Sequence, residues 1–265
     1  MGILNITPDS FSDGGLYHDL SQAIDRTAIM IQEGADIIDV GGESTRPGAH
    51  PIDAEEEILR VIPVIAAIRK RFDITISIDT SKAEVMRQAL HAGADMINDV
   101  YALSQPGSLA VVAASHVPVC LMHMQGRPKT MQLNPVYTDV VDTVKNFLQQ
   151  RINTCIQAGI AQERIILDPG IGFGKTLQHN LTLLKNISKL HMLGCPLLIG
   201  FSRKRMLTQI LASYGYSKAE QRLYGGMAMT AWSAVQKIGI IRTHDVAATK
   251  AVLISMQAVA TDDAV

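Results

Sequence analysis

The chain has 265 residues, 47% of them hydrophobic and 18% charged, with a formal net charge of −1. That length suits one large core or two small ones, and a near-neutral chain has no global field for nucleic acid or an anionic membrane, so an anionic ligand must be met by local cations. Cys120, Cys155 and Cys195 are scattered without a CxxC pair, no apolar run reaches membrane-span length and "MGILNI" is no signal peptide, so a reduced, cytoplasmic protein is expected.

Short apolar runs of strand type alternate along the chain with helical patterns. "GILNI" comes first, followed by "TPDSFSDGG", an unusually polar connection for a strand-to-helix link. The helical segment "SQAIDRTAIMIQEGA" then leads to "DIIDV" and "GGESTRPGA". In "AEEEILRVIPVIAAIRKRF", Pro63 is expected to kink the helix or to sit in its first turns. "TISIDT", "DMINDV" and "PVCLMH" follow, then the helical "VVDTVKNFLQQRINTCIQAG" and the runs "RIILDPG", "PLLIGFS" and "IIRTHDV". Gly34, Gly93 and Gly159 close three helices as left-handed caps.

Eight strand–helix units with near-continuous apolar strands predict an α/β fold, a single (β/α)8 barrel with its active site at the C-terminal strand ends. An open doubly wound sheet usually has fewer strands in this length. No linker or composition break divides residues 1–265, so one domain is expected. The first strand starts at residue 1 with nothing ahead of it to cover the barrel floor, which suggests a chain trimmed or cut short at its N-terminus.

Nearly every strand ends in a polar residue: Asn5, Asp39, Asp79, Asn98, His123, Asp168, Ser202 and His244. A change from strand to loop explains any one of them. It explains poorly the carboxylates and asparagines embedded in apolar runs, and a shared pocket explains them together. Asp79, Asp168 and Asn98 suit a planar heterocycle whose guanidine-like edge offers two parallel N–H groups to a carboxylate. A glycosidase carboxylate pair is the competing reading, but one Trp and few other rings argue against sugar stacking.

Arg203, Lys204 and Arg205 follow the seventh strand, and Arg242 and His244 mark the eighth, where barrels often hold phosphate. Ser44, Thr45 and Arg46 add hydroxyls and a guanidinium. A solvated charge run is the alternative for "SRKR", and a Schiff base for Lys204 alone. "PGIGFGKT" fails as a phosphate loop because Pro169 replaces its first glycine, and Lys175 stands where a dinucleotide loop needs its last. Its glycines are read as letting backbone approach a flat ligand. No zinc spacing occurs, and Mg²⁺ on Asn5 with substrate phosphate oxygens fits better. Met122 could line an apolar wall, while His18, His91, His179 and His191 are expected at the surface.

"MGILNITPDSFSDGG" and "DVGGESTRPGA" resemble the two signature segments of the dihydropteroate synthase family, and "SIDTSKAEV", "INDV", "LMHMQG", "LDPGIGFGK", "GFSRK" and "IIRTHDV" match its other blocks in order. The resemblance implies a barrel that joins 6-hydroxymethyl-7,8-dihydropterin pyrophosphate to p-aminobenzoate, releasing pyrophosphate. It assigns the pterin to Asp79, Asn98, Met122, Asp168 and Lys204. Pyrophosphate falls to Asn5, Thr45, Arg46, Arg242 and His244, with Mg²⁺ on Asn5. Phe11, Pro47, Phe173 and Ser202 would surround p-aminobenzoate, the substrate that sulfonamides mimic.

The resemblance also implies a homodimer through the last helices. The expected catalytic set is Asp79, Asp13, Lys204 and Arg242, in an SN1-like substitution beneath two lids that contain Phe11 and Pro47. Departures are Arg205, where the family often has Ser, a missing N-terminal segment, and variation in "ASYGYSKAEQRLYGG". A methyltetrahydrofolate-dependent corrinoid methyltransferase is the nearest rival, although it has no reason to keep both signature segments. A non-catalytic pterin-binding subunit is the other alternative.

Overall fold

The computed structural model describes residues 1–6, 16–44, 50–212, 214–216 and 219–260. In chain order the elements are β1 (Gly2–Asn5), α1 (Leu16–Gln32), β2 (Ile37–Gly41), α2 (Ala54–Arg71), β3 (Thr75–Asp79), α3 (Ala83–His91), β4 (Met96–Asp99) and α4 (Ser108–Ala114). They continue as β5 (Val119–Met122), α5 (Val140–Gln157), β6 (Ile165–Asp168), α6 (Leu177–Lys185), α7 (Ser188–His191), β7 (Leu198–Gly200), α8 (Arg205–Ala212), α9 (Ala219–Val235), β8 (Ile240–Arg242) and α10 (Val246–Ala260).

β1 to β6 form a parallel sheet in chain order, and β7 pairs with β8. Two bridges join these sheets into the expected α/β barrel, Leu167 to Leu197 and Gly2 to Thr243. The second seam is tied by Ile3 N to Thr243 O at 2.9 Å, Thr243 N to Met1 O at 3.0 Å, and the Met1 ammonium to Ile241 O at 3.0 Å.

Side chains alternate across a strand, so each strand feeds two cores. The outward residues Ile38, Val40, Ile76, Ile78, Ile97, Leu121 and Leu167 pack under the helices. Each such side chain, fully buried, contributes roughly 1.5–3 kcal/mol. The inward set Met1, Met96, Cys120, Ile166 and Leu198, with Ile37 and Ile240 against it, fills the barrel axis. This floor is rich in sulfur, whose long or small side chains fill irregular gaps.

Local signals explain the helix ends. Asp53 caps α2 by accepting from Glu56 N at 2.8 Å, acids occupy its first turn and Arg69, Lys70 and Arg71 its last. Pro63 lies in the middle of α2 rather than in its first turns. Gly34, Gly93 and Gly159 take φ of +90°, +109° and +90°, as their cap role requires. His179, partly exposed, caps the start of α6 with Thr176. His191 bonds Gln236 O at 2.8 Å.

α10, "VAATKAVLISMQAVA", is apolar almost all round, yet only Val246 and Thr249 are buried, and Ile254 and Val259 stand exposed. Among the described residues, no helix is long and apolar enough to cross a membrane. The three cysteines are unpaired and buried.

Candidate active site

The pocket residues sit two positions above the apolar floor, on the same face of their strands. Met96 is followed by Asn98, Cys120 by Met122, Ile166 by Asp168, Ile240 by Arg242 and Ile37 by Asp39. On β3 the outward Ile76 and Ile78 leave Asp79 facing inward. Gly41 and Gly200 occupy the equivalent inner positions on β2 and β7, so two sides of the ring carry no side chain. A Cβ on Gly41 would lie 3.5 Å from Asp79 Cβ and 3.8 Å from Asn5 Oδ1. The result is a polar ring with a flat gap above a dry floor.

Arg242 is the hub of that ring. Its Nε donates to Asp39 Oδ2 at 2.6 Å and its Nη2 to Asp79 Oδ2 at 2.7 Å. Asn98 Nδ2 donates to the same Asp39 oxygen at 3.2 Å. Burial would lower the Arg242 pKa, but Asp39 and Asp79 outweigh it, so the guanidinium stays charged. Burial pushes the Asp79 carboxyl up to about 7, against the pull of Arg242 and with help from Asp39.

Asp168 Oδ1 accepts from Gly170 N at 2.7 Å, and burial raises its pKa against the attraction of Lys204. Lys204 is lowered to about 8, chiefly by burial, despite Asp168. Its ammonium donates to Ile171 O at 2.6 Å and lies 4.2 Å from the centre of the Phe173 ring. Met122 is buried at the top of β5. These carboxyls hold their charge at a disadvantage, and a ligand presenting N–H donors would relieve it.

On the rim, Ser202 Oγ donates to Asp245 Oδ2 at 3.2 Å, while His244 Nδ1 lies 3.0 Å from the same hydroxyl. One cleft, of 420 Å³, runs between Ser202, Arg242 and Asp245. Another, of 720 Å³, opens beside Asp79 past Lys82, Tyr101, Arg127 and Lys129. Phe11, Asp13, Thr45, Arg46 and Pro47 lie outside the described residues.

Among the described residues, no three His, Cys, Asp or Glu side chains gather as a metal group. Asn5, half-buried beside Gly41 and Asp79, has its amide engaged by no hydrogen bond among the described residues. A lone oxygen donor of this kind suits a hard cation completed by ligand phosphate and water, as Mg²⁺ prefers.

Three sequence readings change. Asp39 does not end its strand: β2 continues to Gly41, and Asp39 lies one inner layer deeper, fully buried and holding Arg242. Its sequence signal was its period-two step from Ile37. His123 does not face the mouth as a site residue but is buried against Lys175 Nζ at 3.0 Å. Two of the glycines after β6, Gly170 and Gly174, serve protein backbone rather than a flat ligand, while Gly172 lies against the Lys204 side chain. A Cβ on Gly170 would come within 1.8 Å of His123 O, and one on Gly174 within 2.3 Å of Gln125 O.

The family model for pterin-binding enzymes matches residues 1–244. Dihydropteroate synthase from Escherichia coli (strain K12) is 53% identical over 94% of this chain and 87% of its own length. The Yersinia pestis dihydropteroate synthase in a sulfonamide drug complex superposes with a TM-score of 0.91 at 47% identity, covering 98% of this chain and 93% of that one. The Xanthomonas albilineans enzyme in complex with 7,8-dihydropteroate gives a TM-score of 0.87 at 43% identity, covering 99% and 93%.

Proposed function

This chain belongs to the pterin-binding enzyme family as a dihydropteroate synthase, and from that membership we propose how its residues share the reaction. It joins 6-hydroxymethyl-7,8-dihydropterin pyrophosphate to p-aminobenzoate and releases pyrophosphate.

The pterin lies in the flat gap of the inner ring. Asp168 and Asp79 accept its N–H groups, Asn98 and Lys204 complete the polar edge, and Met122 forms the wall. The observation that carries this reading is the convergence of these groups on one inner layer, with both carboxyls destabilised as anions by burial. The pyrophosphate tail is held by Arg242, His244 and Asn5, together with Thr45 and Arg46. Two of the five guanidinium hydrogens of Arg242 are engaged by Asp39 and Asp79, which leaves the Nη1 pair and one on Nη2 for phosphate oxygens. Mg²⁺, when bound, would be held by Asn5 and would neutralise charge on the departing pyrophosphate.

Substitution is SN1-like. As the pterin methylene turns cationic, Asp79 is drawn to its ionised form and supports the positive charge, aided by Asp13. Arg242 and Lys204 favour departure of the anion. p-Aminobenzoate enters between Phe173, Ser202, Phe11 and Pro47, where the segments after β1 and β2 act as lids that exclude water. The whole chain works as one domain. The apolar, exposed α10 supports a homodimer through the last helices, and three unpaired buried thiols suit the cytoplasm.

The test is pyrophosphate release by the purified protein with and without p-aminobenzoate, alongside donor binding. Release should require the intact pterin donor, and dihydropteroate should form when the amine is present. Asp168→Ala should abolish donor binding. If that variant binds the donor within about twofold of the parent, well inside the scatter of ordinary surface changes, the pocket assignment is wrong.

A further inference from the structure

The loop after β6 is fastened by a buried lysine that the chemistry above does not use, its pKa lowered to about 7 by burial against the attraction of Asp168. Lys175 is only 3% exposed. Its ammonium donates to Gly170 O at 2.9 Å and Phe173 O at 3.0 Å, meets His123 Nδ1 at 3.0 Å, and has His123 O at 3.3 Å. Its three hydrogens therefore find acceptors on every side. His123 can accept because burial and the neighbouring Lys175 drop its pKa to about 3, leaving the ring neutral.

The rest of the loop is as tightly held. Side chains take every carbonyl from residue 170 to 174: Lys175 at Gly170 and Phe173, Lys204 at Ile171, Gln132 at Gly172, and Tyr137 at Gly174. Gly170, Gly172 and Gly174 have φ of +67°, +81° and +61°, and two of them press against the backbone after β5. A loop this constrained has one low-energy path. Lys175 ties both ends of its turn, the one closed by Phe173 N to Gly170 O at 3.0 Å, to the end of β5.

We propose that Lys175 is a positioning residue for the aromatic-amine substrate: by fixing the backbone of Gly170 and Phe173 against His123 it sets the Phe173 ring beside Lys204. This rests on the reading in which Phe173 borders p-aminobenzoate. Lys175 touches neither substrate and acts through that ring. Lys204 and Asp168 also touch this loop, through Ile171 O at 2.6 Å and Gly170 N at 2.7 Å, but each is anchored on another element and they attract one another, so the pterin site depends on Lys175 less than the Phe173 ring does.

Steady-state kinetics with both substrates tests this on Lys175→Met, Phe173→Ala and the double variant. Lys175→Met should raise KM for p-aminobenzoate by about tenfold, the scale of a sub-ångström misplacement, and move KM for the pterin donor by less than about twofold. In the Phe173→Ala background the same change should add less than about twofold, because its effect runs through the missing ring. Equal increases for both substrates, or effects that multiply in the double variant, would overturn the assignment.

If Lys175→Met does not fold, Tyr137→Phe loosens the same loop by one 2.8 Å bond. It should raise the same KM alone by about two- to threefold, the scale of a single hydrogen bond, and no change would refute the proposal. Dihydropteroate formation by the parent protein separates the two levels. If the parent makes product, a negative result condemns only the Lys175 inference; if it makes none, the functional reading fails first and the inference falls with it.

Discussion

Replacing Asp39 by Ala strips a fully buried carboxylate from Arg242 Nε, 2.6 Å away. Removing one partner of a buried ion pair costs about 3–5 kcal/mol, because the other charge is left uncompensated. Arg242 keeps Asp79 at 2.7 Å and its side chain is 23% exposed, so the lower end applies. Loss of the Asn98 bond adds about 1 kcal/mol, for a total near 4 kcal/mol. In a chain of this size that corresponds to a fall in Tm of about 8–16 °C.

Urea unfolding and calorimetry on Asp39→Ala, Arg242→Met and the double variant measure it. The double variant should recover part of the loss, with a coupling of about 2–3 kcal/mol. A loss below about 1 kcal/mol, or simple additivity, would refute the view that Asp39 anchors the ring.

The pH dependence of stability should follow Asp79. Its carboxyl titrates near 3.8 unfolded and about 7 folded, so the native state binds more protons between those values. Stability is therefore lost as pH rises from about 4 to 7, by at most about 4 kcal/mol. Asp79→Asn should be more stable than the parent at pH 8 but not at pH 4, and parallel curves in chemical denaturation would contradict this. Pro63→Ala in the exposed middle of α2 should raise unfolding free energy by about 1–2 kcal/mol by restoring a helix hydrogen bond, as thermal melts would record. Ile254→Lys on α10 should shift the protein toward monomer in sedimentation, while an unchanged dimer would place the interface elsewhere.

What could be read from the residues was what depends on short range. Strand runs, glycine caps and the spacing of Asp79, Asn98 and Asp168 above apolar neighbours are local patterns, and the barrel puts them on one inner face as expected. What escaped depends on partners far apart in the chain. Asp39 meets Arg242 across 203 positions, and Lys175 meets His123 across 52. No periodicity announces such a pairing. Lys175 looked like a residue spoiling a dinucleotide loop, and its neighbouring glycines looked like room for a ligand. Both are explained by a close backbone approach that only the closed barrel creates.

The thioethers and thiol beneath the polar ring give the enzyme a chemical vulnerability. Met122 stands directly above Cys120, with Met96 and Met1 alongside that floor. Sulfoxidation of Met122 would plant a dipole where the heterocycle needs a smooth hydrocarbon wall, and any oxidant entering from above meets that sulfur before the rest. A seated donor molecule would therefore shield Met122 against peroxide, while Met192, 72% exposed on the outer surface, would stay open to it.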